Sequence, residues 1–315
     1  MNKKIDFQNK IILVTGGAGF IGHHLVNEIL NFKPKQLIVI DDLSTGKNEN
    51  LNKLNSEYSF LQKDILDIQS EDLPTEIDFI FHLAALVSVP LSFEKSELTH
   101  QINESGFVRI LELAKEKNVK KVIYASSSAI YGEIEKMPIT EDSPLQPQSP
   151  YAVSKQMNEI HARSYFKFYG IESIGFRFFN VYGDGQDPSS PYSGVISLFT
   201  DKMSRSIPIS IYGDGEQIRD FVHVSDVVNA LISGALSAVQ NDVFNVGSGN
   251  PTSINELFSI LKEIYGYDKD ANYLEKRKGD IQKSLSSVSK IRNELGYEPS
   301  IDLFSGLKKL AESLK

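Results

Sequence analysis

Tyr151 and Lys155 are the pair of residues in this sequence best suited to acid–base chemistry. They stand four positions apart in the stretch SPYAVSK (149–155). Ser149 and Pro150 favour a helix that begins here, because serine caps helix N-termini and proline suits the first helical position. The spacing places both side chains on one helix face, where the ammonium would favour the phenolate and lower the tyrosine pKa from its usual value near 10. The pair could therefore act as a general acid and base.

The same spacing also occurs on solvated helix faces, so the pair needs support from its surroundings. Tyr265 and Lys269 repeat it, interrupted by Gly266 and with no chemically suited residue nearby. The interpretation of Tyr151 therefore depends on the elements that would position it.

A glycine-rich turn near the N-terminus indicates a dinucleotide site. Residues 10–15 (KIILVT) form an apolar, β-branched run typical of a buried parallel strand. Gly16, Gly19 and Gly22 follow, and then apolar residues at helical spacing. The first glycine allows a tight turn, the second lets backbone amides approach a pyrophosphate at the helix N-terminus, and the third allows helix and strand to pack closely.

Two aspartates follow the second predicted strand, 36–40. Asp41 and Asp42 lie about twenty residues past the glycines, where an acidic side chain would bond the adenosine ribose hydroxyls. The carboxylate would repel a 2′-phosphate, which favours NAD over NADP. The alternative is an aspartate that caps the turn 41–46.

Strands and helices alternate along the first half of the chain. Apolar runs predict strands at 58–61, 78–83, 121–125 and 172–178 and a long helix over 92–116. This order predicts an α/β fold, a Rossmann-type doubly wound parallel sheet that binds ligands at the carboxyl ends of its strands. The segments expected at that edge are the glycine turn, Asp41, Ala84 and Ala85, the serines 126–128 and the Tyr151 helix.

Two polar residues lie inside these apolar elements. Asn103 falls in the long helix, where an inward-facing amide would need a partner. His82 falls in a strand, and we expect it to be packed and hydrogen-bonded. The six histidines show no metal spacing.

The second half predicts a smaller α/β domain. A short strand is expected at 209–212, with helices at 225–239 and 253–265 capped by Ser225 and Ser253, and terminal helices at 287–295 and 303–314. We therefore predict an NAD-binding domain of residues 1–175 plus 220–248. Residues 176–219 plus 249–315 would form a domain that binds the substrate.

Composition excludes several classes of protein. The 315 residues carry a net charge of −8 without a basic run, which argues against nucleic acid or a membrane as partner. The absence of cysteine excludes disulfides and thiolate sites and suits a reducing cytoplasm. The N-terminus lacks the apolar core of a signal peptide, so a cytoplasmic location is expected.

In its motifs, the sequence resembles the nucleotide-sugar epimerases of the extended short-chain dehydrogenase/reductase family. The matching segments occur in family order and cover nearly the whole chain: TGGAGFIG (15–22), DDLSTG (41–46), HLAA (82–85), SSSAIYG (126–132), SPYAVSK (149–155), RFFNVYG (177–183), GDGEQIRDFVHVSD (213–226), NVGSG (245–249) and RKGD (277–280).

The resemblance implies C4 epimerisation of a UDP-sugar with tightly bound NAD. Tyr151 would be the base that removes the 4-hydroxyl proton, Ser127 would bond that hydroxyl, and Lys155 would hold the nicotinamide ribose and tune Tyr151. The hydride leaves C4 for NAD+, the 4-keto sugar turns over, and the hydride returns to the other face.

The resemblance also implies the binding residues. For the cofactor these are Gly16, Gly19, Phe20, Ile21, Gly22, Asp41, Asp42, Ser44, Thr45, Gly46, Asp64, Ile65, Leu83, Ala84, Ala85, Asn103, Ser126, Tyr151, Lys155 and Phe178. For the substrate they are Val87, Ser127, Ser128, Tyr151, Asn180, Gln186, Gly194, Val195, Tyr212, Arg219, Arg277, Asp280 and Ser284. Arg219 and Arg277 are the expected pyrophosphate clamps, or else surface ion-pair partners.

Two positions at which this chain differs from related enzymes narrow the expected reaction. Related 4,6-dehydratases carry an Asp-Glu pair where this chain has Ser128 and Ala129, and related decarboxylases carry a glutamate at the second position. Without these acids, the ketone is expected to return to the alcohol. Ser284 matches the family's gate at the sugar pocket, where a small residue leaves room for a 2-acetamido group.

The sugar is expected to be UDP-GlcNAc/UDP-GalNAc, which the segment Gln186-Asp187-Pro188 also favours by resemblance. The alternatives are UDP-glucose/UDP-galactose and the matching uronic acids. A hypothesis of another class is a non-catalytic NAD-binding sensor, although such proteins typically lose the catalytic pair. A homodimer is expected from relatives that pair through the helices carrying Asn103 and Tyr151.

Overall fold

A seven-stranded parallel sheet forms the centre of the molecule. The computed structural model describes residues 6–54, 57–186, 194–276 and 281–314. The strand order is β10-β6-β5-β4-β1-β2-β3, and every neighbouring pair is parallel. These strands are β1 (Ile11–Thr15), β2 (Gln36–Asp41), β3 (Ser59–Gln62), β4 (Phe79–His82), β5 (Lys121–Ser127), β6 (Glu172–Phe178) and β10 (Asn241–Val246).

Helices cover both faces of this sheet, as expected for a doubly wound fold. The described helices are α1 (Phe20–Asn31), α2 (Asn48–Asn52), α3 (Val89–Glu94), α4 (Ser96–His100), α5 (Gly106–Glu116), α6 (Pro150–Tyr169), α7 (Val195–Ser204), α8 (Val224–Leu236), α9 (Ile254–Tyr265), α10 (Ser289–Leu295) and α11 (Leu303–Ser313). Short 3₁₀ turns lie at Ile65–Asp67, Ser70–Asp72 and Ser128–Tyr131.

The sheet separates two hydrophobic clusters. Alternate side chains of β1 point to opposite faces, so Ile12 and Val14 join one cluster with α1 and α8, whereas Leu13 joins the other with α5. Burial on both faces explains why the strand sequences are continuously apolar rather than alternating. The predicted α/β class and parallel sheet are confirmed.

The predicted long helix over 92–116 is wrong in its continuity. The chain forms α3, leaves the helical region at Lys95 (φ −128°, ψ 54°) and resumes as α4. A π-helical segment, Gln101–Ser105, then precedes α5. The π segment carries Asn103, whose side chain bonds to distant residues described below, and π segments are often found at functional sites.

Two smaller sheets lie beyond the central one. A three-stranded sheet has the order β11-β9-β7, from β11 (Pro251–Ser253), β9 (Ile218–His223) and β7 (Asn180–Tyr182), and β12 (Asn272–Leu274) pairs with β8 (Ser210–Tyr212). A third hydrophobic cluster, which includes Phe199, Phe221 and Leu257, packs beneath them. The predicted division into two domains is compatible with this arrangement and stays a prediction.

The predicted helix caps are partly correct. Ser253 caps α9 in a capping box with Glu256. Ser225 does not cap α8, because that helix begins at Val224 and the imidazole of His223 accepts from the Ser225 amide instead. Ser225 therefore lies within the first turn.

The described residues contain neither a metal-binding cluster nor a membrane-spanning helix. No group of three or more histidine, cysteine, aspartate or glutamate side chains is close enough to hold a metal ion. No described helix is both long and apolar enough to cross a bilayer.

Candidate active site and cofactor cradle

The glycine turn after β1 packs against the backbone after β4. Gly16 has a φ of +71°, and a Cβ there would lie 2.5 Å from the amide nitrogen of Ala84. A Cβ on Gly22 would overlap the Gly16 carbonyl oxygen, at 2.0 Å. Both glycines are therefore required by close backbone approach, and the turn meets Leu83 and Ala84 at the sheet edge, as predicted.

The N-terminus of α1 fits a dinucleotide pyrophosphate. Gly19 is its N-cap, and no side chain caps the helix, so the first-turn amides face the turn without a competing acceptor. Asp41 lies beside this glycine turn, because its carboxylate accepts from the amides of Ala18 and Leu43, each at 2.9 Å. Burial raises the pKa of Asp41. These residues could hold NAD, with Asp41 placed for the ribose.

Asp42 has a local role. Its carboxylate accepts from the Ser44 amide at 2.9 Å and from the Ser44 hydroxyl at 2.7 Å, which builds the turn before Thr45 and Gly46. A Cβ on Gly46 would lie 2.7 Å from Asp41 Oδ1. Asp42 thus fits the alternative of a turn-capping aspartate, whereas Asp41 joins the turn to the glycine loop.

Substitution of Gly16 by alanine is expected to unfold part of the cradle and lower the NAD content of the purified protein. The positive φ costs about 1–2 kcal/mol for a residue with a Cβ. Overlap with the backbone of Ala84 adds about 1–3 kcal/mol. Gly170→Ala is the matched control, because Gly170 has a φ of +70° and open space around it. Urea unfolding and NAD release after denaturation measure both effects; equal losses in the two variants would contradict this account.

Tyr151, Lys155 and Ser127 meet where β5 ends and α6 begins. Ser149 caps α6 by accepting from the Ala152 amide at 3.1 Å, and Pro150 occupies the first turn, as predicted. The Lys155 ammonium lies 5.8 Å from the Tyr151 ring centroid and donates to the Ala125 carbonyl at 2.9 Å. The predicted catalytic residues are therefore brought to one place at the carboxyl edge of the sheet.

The pKa of Tyr151 shifts in the direction opposite to the prediction. Burial is the largest cause and raises it, and the side-chain hydrogen bond with Ser127 only partly offsets this. Burial also lowers the pKa of Lys155 to about 8. Desolvation disfavours the charged forms of both groups, and for Tyr151 it outweighs the hydrogen bond with Ser127.

The buried lysine predicts a dependence of stability on pH. Between about pH 8 and the usual lysine value of about 10.4, the unfolded state binds a proton that the folded state has released. The free energy of unfolding of the nucleotide-stripped wild type, measured relative to that of Lys155→Met, should therefore rise with pH over this window. Lys120→Met is the control, because Asp78 raises the pKa of Lys120, so the contribution of Lys120 is lost only above about pH 10.4 and stays constant over this window. Urea unfolding at several pH values checks this prediction. A difference in the free energy of unfolding between wild type and Lys155→Met that stays constant with pH would refute it.

Asn103 and Ser126 lie behind the site. The Asn103 side chain is 1% exposed, bonds both the amide and the carbonyl of Leu86, and donates to the Ser154 hydroxyl at 3.0 Å. The Ser126 hydroxyl donates to Glu159 Oε1 at 2.6 Å. Both side chains are thus held in place by the protein, and their contacts with a cofactor stay predictions.

The remaining predicted cofactor residues lie at or near the same edge. Asp64 caps the 3₁₀ turn after β3 by accepting from the Leu66 amide, and Ile65 is buried against Gly106. Phe178 is buried and ends β6 opposite Ser127. Their contacts with a cofactor stay predictions.

One of the predicted nucleotide residues, Tyr212, lines a cavity of about 300 Å³. It is lined by Tyr212, Gly213, Asp214, Gln217, Lys276 and Gln282. Gln217 donates to the Tyr212 carbonyl at 2.9 Å, which fixes the turn after β8. Arg277 and Asp280 lie outside the described residues.

The predicted sugar and diphosphate residues fall into several groups. Gln186 accepts from the Ser197 hydroxyl at 2.5 Å and so lies beside Gly194 and Val195 at the start of α7. Asp187 and Pro188 lie outside the described residues. Arg219 and Asn180 lie on the paired strands β9 and β7, and the Ser284 amide donates to the Ile218 carbonyl at 3.0 Å. Val87 is 66% exposed on the loop after β4, and Ser128 begins a 3₁₀ turn.

A buried ion pair beside the site was missed by the sequence analysis. Arg177 donates to both carboxylate oxygens of Glu159, at 2.8 and 2.6 Å, and to the Tyr131 hydroxyl at 2.7 Å. Two signals could have identified it. Glu159 stands four residues after Lys155, on the same face of α6, and Arg177 interrupts the apolar end of β6 between Phe176 and Phe178.

The chain is similar to a known family and to solved structures over most of its length. The model of the NAD dependent epimerase/dehydratase family matches residues 12–247. A UDP-N-acetylglucosamine 4-epimerase from Methanobrevibacter ruminantium M1, in complex with UDP-N-acetylmuramic acid, is 38% identical with a TM-score of 0.93 over 98% of both chains. A UDP-glucose 4-epimerase from Thermotoga maritima, with UDP-glucose, is 39% identical with a TM-score of 0.90, covering 96% of this chain and 98% of that one.

A third similar structure contains the cofactor. It is a UDP-glucuronic acid 4-epimerase from Bacillus cereus in complex with UDP-glucuronic acid and NAD, 31% identical with a TM-score of 0.88, covering 96% of this chain and 98% of that one. The resemblance stated from the motifs is confirmed. The chain therefore belongs to the NAD dependent epimerase/dehydratase family, whose cofactor fits the glycine cradle described above.

Proposed function

We propose that this protein, a UDP-sugar 4-epimerase, interconverts UDP-GlcNAc and UDP-GalNAc through a transient 4-keto sugar. The observation that supports this reaction class most directly is the meeting of Tyr151, Lys155 and Ser127 beside a glycine cradle suited to NAD. The matched family and the three similar structures support the same class.

The proposed roles follow from the chemistry of each side chain. NAD held by the glycine turn and Asp41 would supply a reversible acceptor for the C4 hydride. Tyr151 takes the proton of the sugar 4-hydroxyl and later gives it back. Ser127 hydrogen-bonds that hydroxyl and orients it toward Tyr151. Lys155 would hold the nicotinamide ribose, anchored by its hydrogen bond to the Ala125 carbonyl.

The acetylated sugar is supported by two residues. Ser284 is small and half-buried beside β9, which leaves more room than a tyrosine would for a 2-acetamido group. Gln186 begins the segment Gln186-Asp187-Pro188, which favours the acetylated sugar by resemblance, and its hydrogen bond with Ser197 holds it against the first turn of α7. The three similar structures bear the names of enzymes for acetylated, neutral and acidic sugars, so they do not select among them.

Two alternatives predict different results. A UDP-glucose/UDP-galactose or uronic acid 4-epimerase would use the same catalytic residues with another pocket. A non-catalytic sensor of NAD would bind the cofactor without turnover, and the intact Tyr151, Lys155 and Ser127 argue against it.

The deciding experiment follows epimerisation directly. The purified protein is incubated with UDP-GlcNAc and, separately, with UDP-glucose, without added cofactor, and the anomeric and H4 proton signals are followed by NMR. Faster formation of UDP-GalNAc than of UDP-galactose is expected. Turnover of UDP-glucose alone would overturn the sugar assignment. If neither reacts after NAD is supplied, the uronic acids are tested next, and failure of all three would favour the sensor.

We also propose that the protein is a homodimer that pairs through the helical segments carrying Asn103 and Tyr151, which are α4 with the π segment after it and α6. Leu98 on α4 and Val153 and Ile160 on α6 are exposed apolar side chains of these helices. Size-exclusion chromatography with light scattering is expected to give the dimer mass, and a monomer would refute the proposal. The cytoplasmic location stays a prediction.

A further inference from the structure

Asp220 is a fully buried carboxylate without an ion-pair partner among the described residues. It is 0% exposed and lies on β9, next to Arg219. Burying an anion is costly unless hydrogen bonds replace its hydration. The hydrogen-bond partners of Asp220 therefore show which segments of the fold this carboxylate holds together.

Five donors from two other segments supply that compensation. Oδ1 accepts from the Ser248 amide and hydroxyl, both at 2.7 Å. Oδ2 accepts from the amides of Gly249 and Ser286, at 3.1 and 3.0 Å, and from the Ser286 hydroxyl. Asp220 therefore joins β9 both to the loop after β10 and to the segment that carries Ser284.

The packing at this junction leaves no room for a side chain. A Cβ on Gly247 would lie 2.2 Å from the Ser286 hydroxyl and 2.5 Å from Asp220 Oδ2. The backbone after β10 thus lies directly against the Asp220–Ser286 contact. A change at Asp220 must therefore move at least one of the three segments.

The segment 282–287 is held from both sides around this contact. On one side it exchanges hydrogen bonds with Ile218, which donates to the Gln282 carbonyl at 2.8 Å and accepts from Ser284. On the other, Ile139 donates to the Leu285 carbonyl and accepts from the Ser287 amide. Ser286 lies between these anchors and is the residue that fixes the segment's register through its side chain.

We propose that Asp220 is a positioning residue that sets the register of the Ser284 segment against β9 and thereby the affinity and selectivity for the sugar nucleotide. This inference rests on the proposed function for the role of Ser284. Asp220 would act through its neighbours and touches neither substrate nor cofactor.

Asp220→Asn and Ser286→Ala test this inference in the full-length enzyme. Asparagine keeps the shape but turns one acceptor into a donor that faces N–H groups. Ser286→Ala removes only one hydroxyl contact. We expect KM for UDP-GlcNAc to rise about 10-fold or more in Asp220→Asn and about 3-fold in Ser286→Ala, with kcat changing less. The preference between UDP-GlcNAc and UDP-glucose should fall in both.

Asp226 and Ser300 provide matched controls. Asp226 is also buried and accepts from the Ser300 amide and hydroxyl and from the Ile301 amide, but these partners include no predicted site residue. Asp226→Asn is expected to lower the melting temperature while KM and the sugar preference stay within about twofold of wild type. Ser300→Ala should have a smaller effect on stability and none on KM.

Several outcomes would overturn the inference. One is an unchanged KM and an unchanged sugar preference in both Ser286→Ala and folded Asp220→Asn. Another is an equal change of KM and preference in the Asp226 and Ser300 variants, which would show that Asp220 has only a structural role. If Asp220→Asn does not fold, Ser286→Ala decides. If the wild-type protein converts no UDP-sugar, the proposed function fails separately, and the affinities of wild type and Ser286→Ala for UDP, measured by calorimetry, then test the positioning role.

Discussion

Replacement of Tyr151 by phenylalanine is expected to lower kcat for epimerisation by about 10²- to 10⁴-fold, the usual contribution of a positioned acid or base. Only the hydroxyl is lost, and the ring keeps its buried place at the start of α6. Burial raises the pKa of Tyr151 and the Ser127 hydrogen bond lowers it, so the phenol depends on its neighbours for the base form that takes the 4-hydroxyl proton. Ser127 cannot replace it, because a serine hydroxyl is a much weaker acid.

The measurement separates chemistry from cofactor binding. Initial rates by NMR give kcat, and the NAD released on denaturation should equal that of wild type. Tyr165→Phe is the matched control, since Tyr165 lies on the same helix and donates to Glu112 at 2.7 Å. Its rate should match wild type. A Tyr151→Phe enzyme that keeps more than about a tenth of the activity would eliminate Tyr151 as the acid–base residue.

Substitution of Glu159 by alanine is expected to lower the free energy of unfolding by about 3–5 kcal/mol, as for other broken buried ion pairs. The reason is the guanidinium that remains. Arg177 is 3% exposed and would keep only the Tyr131 hydroxyl and the Glu141 carbonyl as acceptors. Ser126 would also lose the acceptor of its hydroxyl. Catalysis should fall as well, because Glu159 anchors the helix of Tyr151 and Lys155 to β5 and β6.

Urea unfolding followed by circular dichroism measures this loss. Asp270→Ala is the control, because Asp270 is paired with Lys262 at 2.9 Å but is 97% exposed. An exposed pair of this kind contributes about 0–1 kcal/mol. Glu159→Gln, which keeps an acceptor for Arg177, should lie between the two. Equal losses for Glu159→Ala and Asp270→Ala would show that the buried pair is dispensable.

The local elements around the site could be predicted because they depend on short-range rules. The strand before Gly16, the cap at Ser149 and the spacing of Tyr151 and Lys155 appear in the structure as predicted. Glycine spacing and cap chemistry act over a few residues, so the sequence pattern contains the necessary information. The break at Lys95 was not predictable in this way, because apolar periodicity continues across it.

The chain's order of strands, its glycine turn and the pairing of Tyr151 with Lys155 were determined by the sequence itself, since helix and strand periodicity place such residues without reference to distant segments. The tertiary structure decided the rest. It reversed the expected shift in the Tyr151 pKa, because desolvation depends on everything packed around the phenol. It also joined Glu159 to Arg177 and Asp220 to Ser286. Buried charges need partners wherever the fold supplies them, and those partners lie 18 and 66 residues away in the chain.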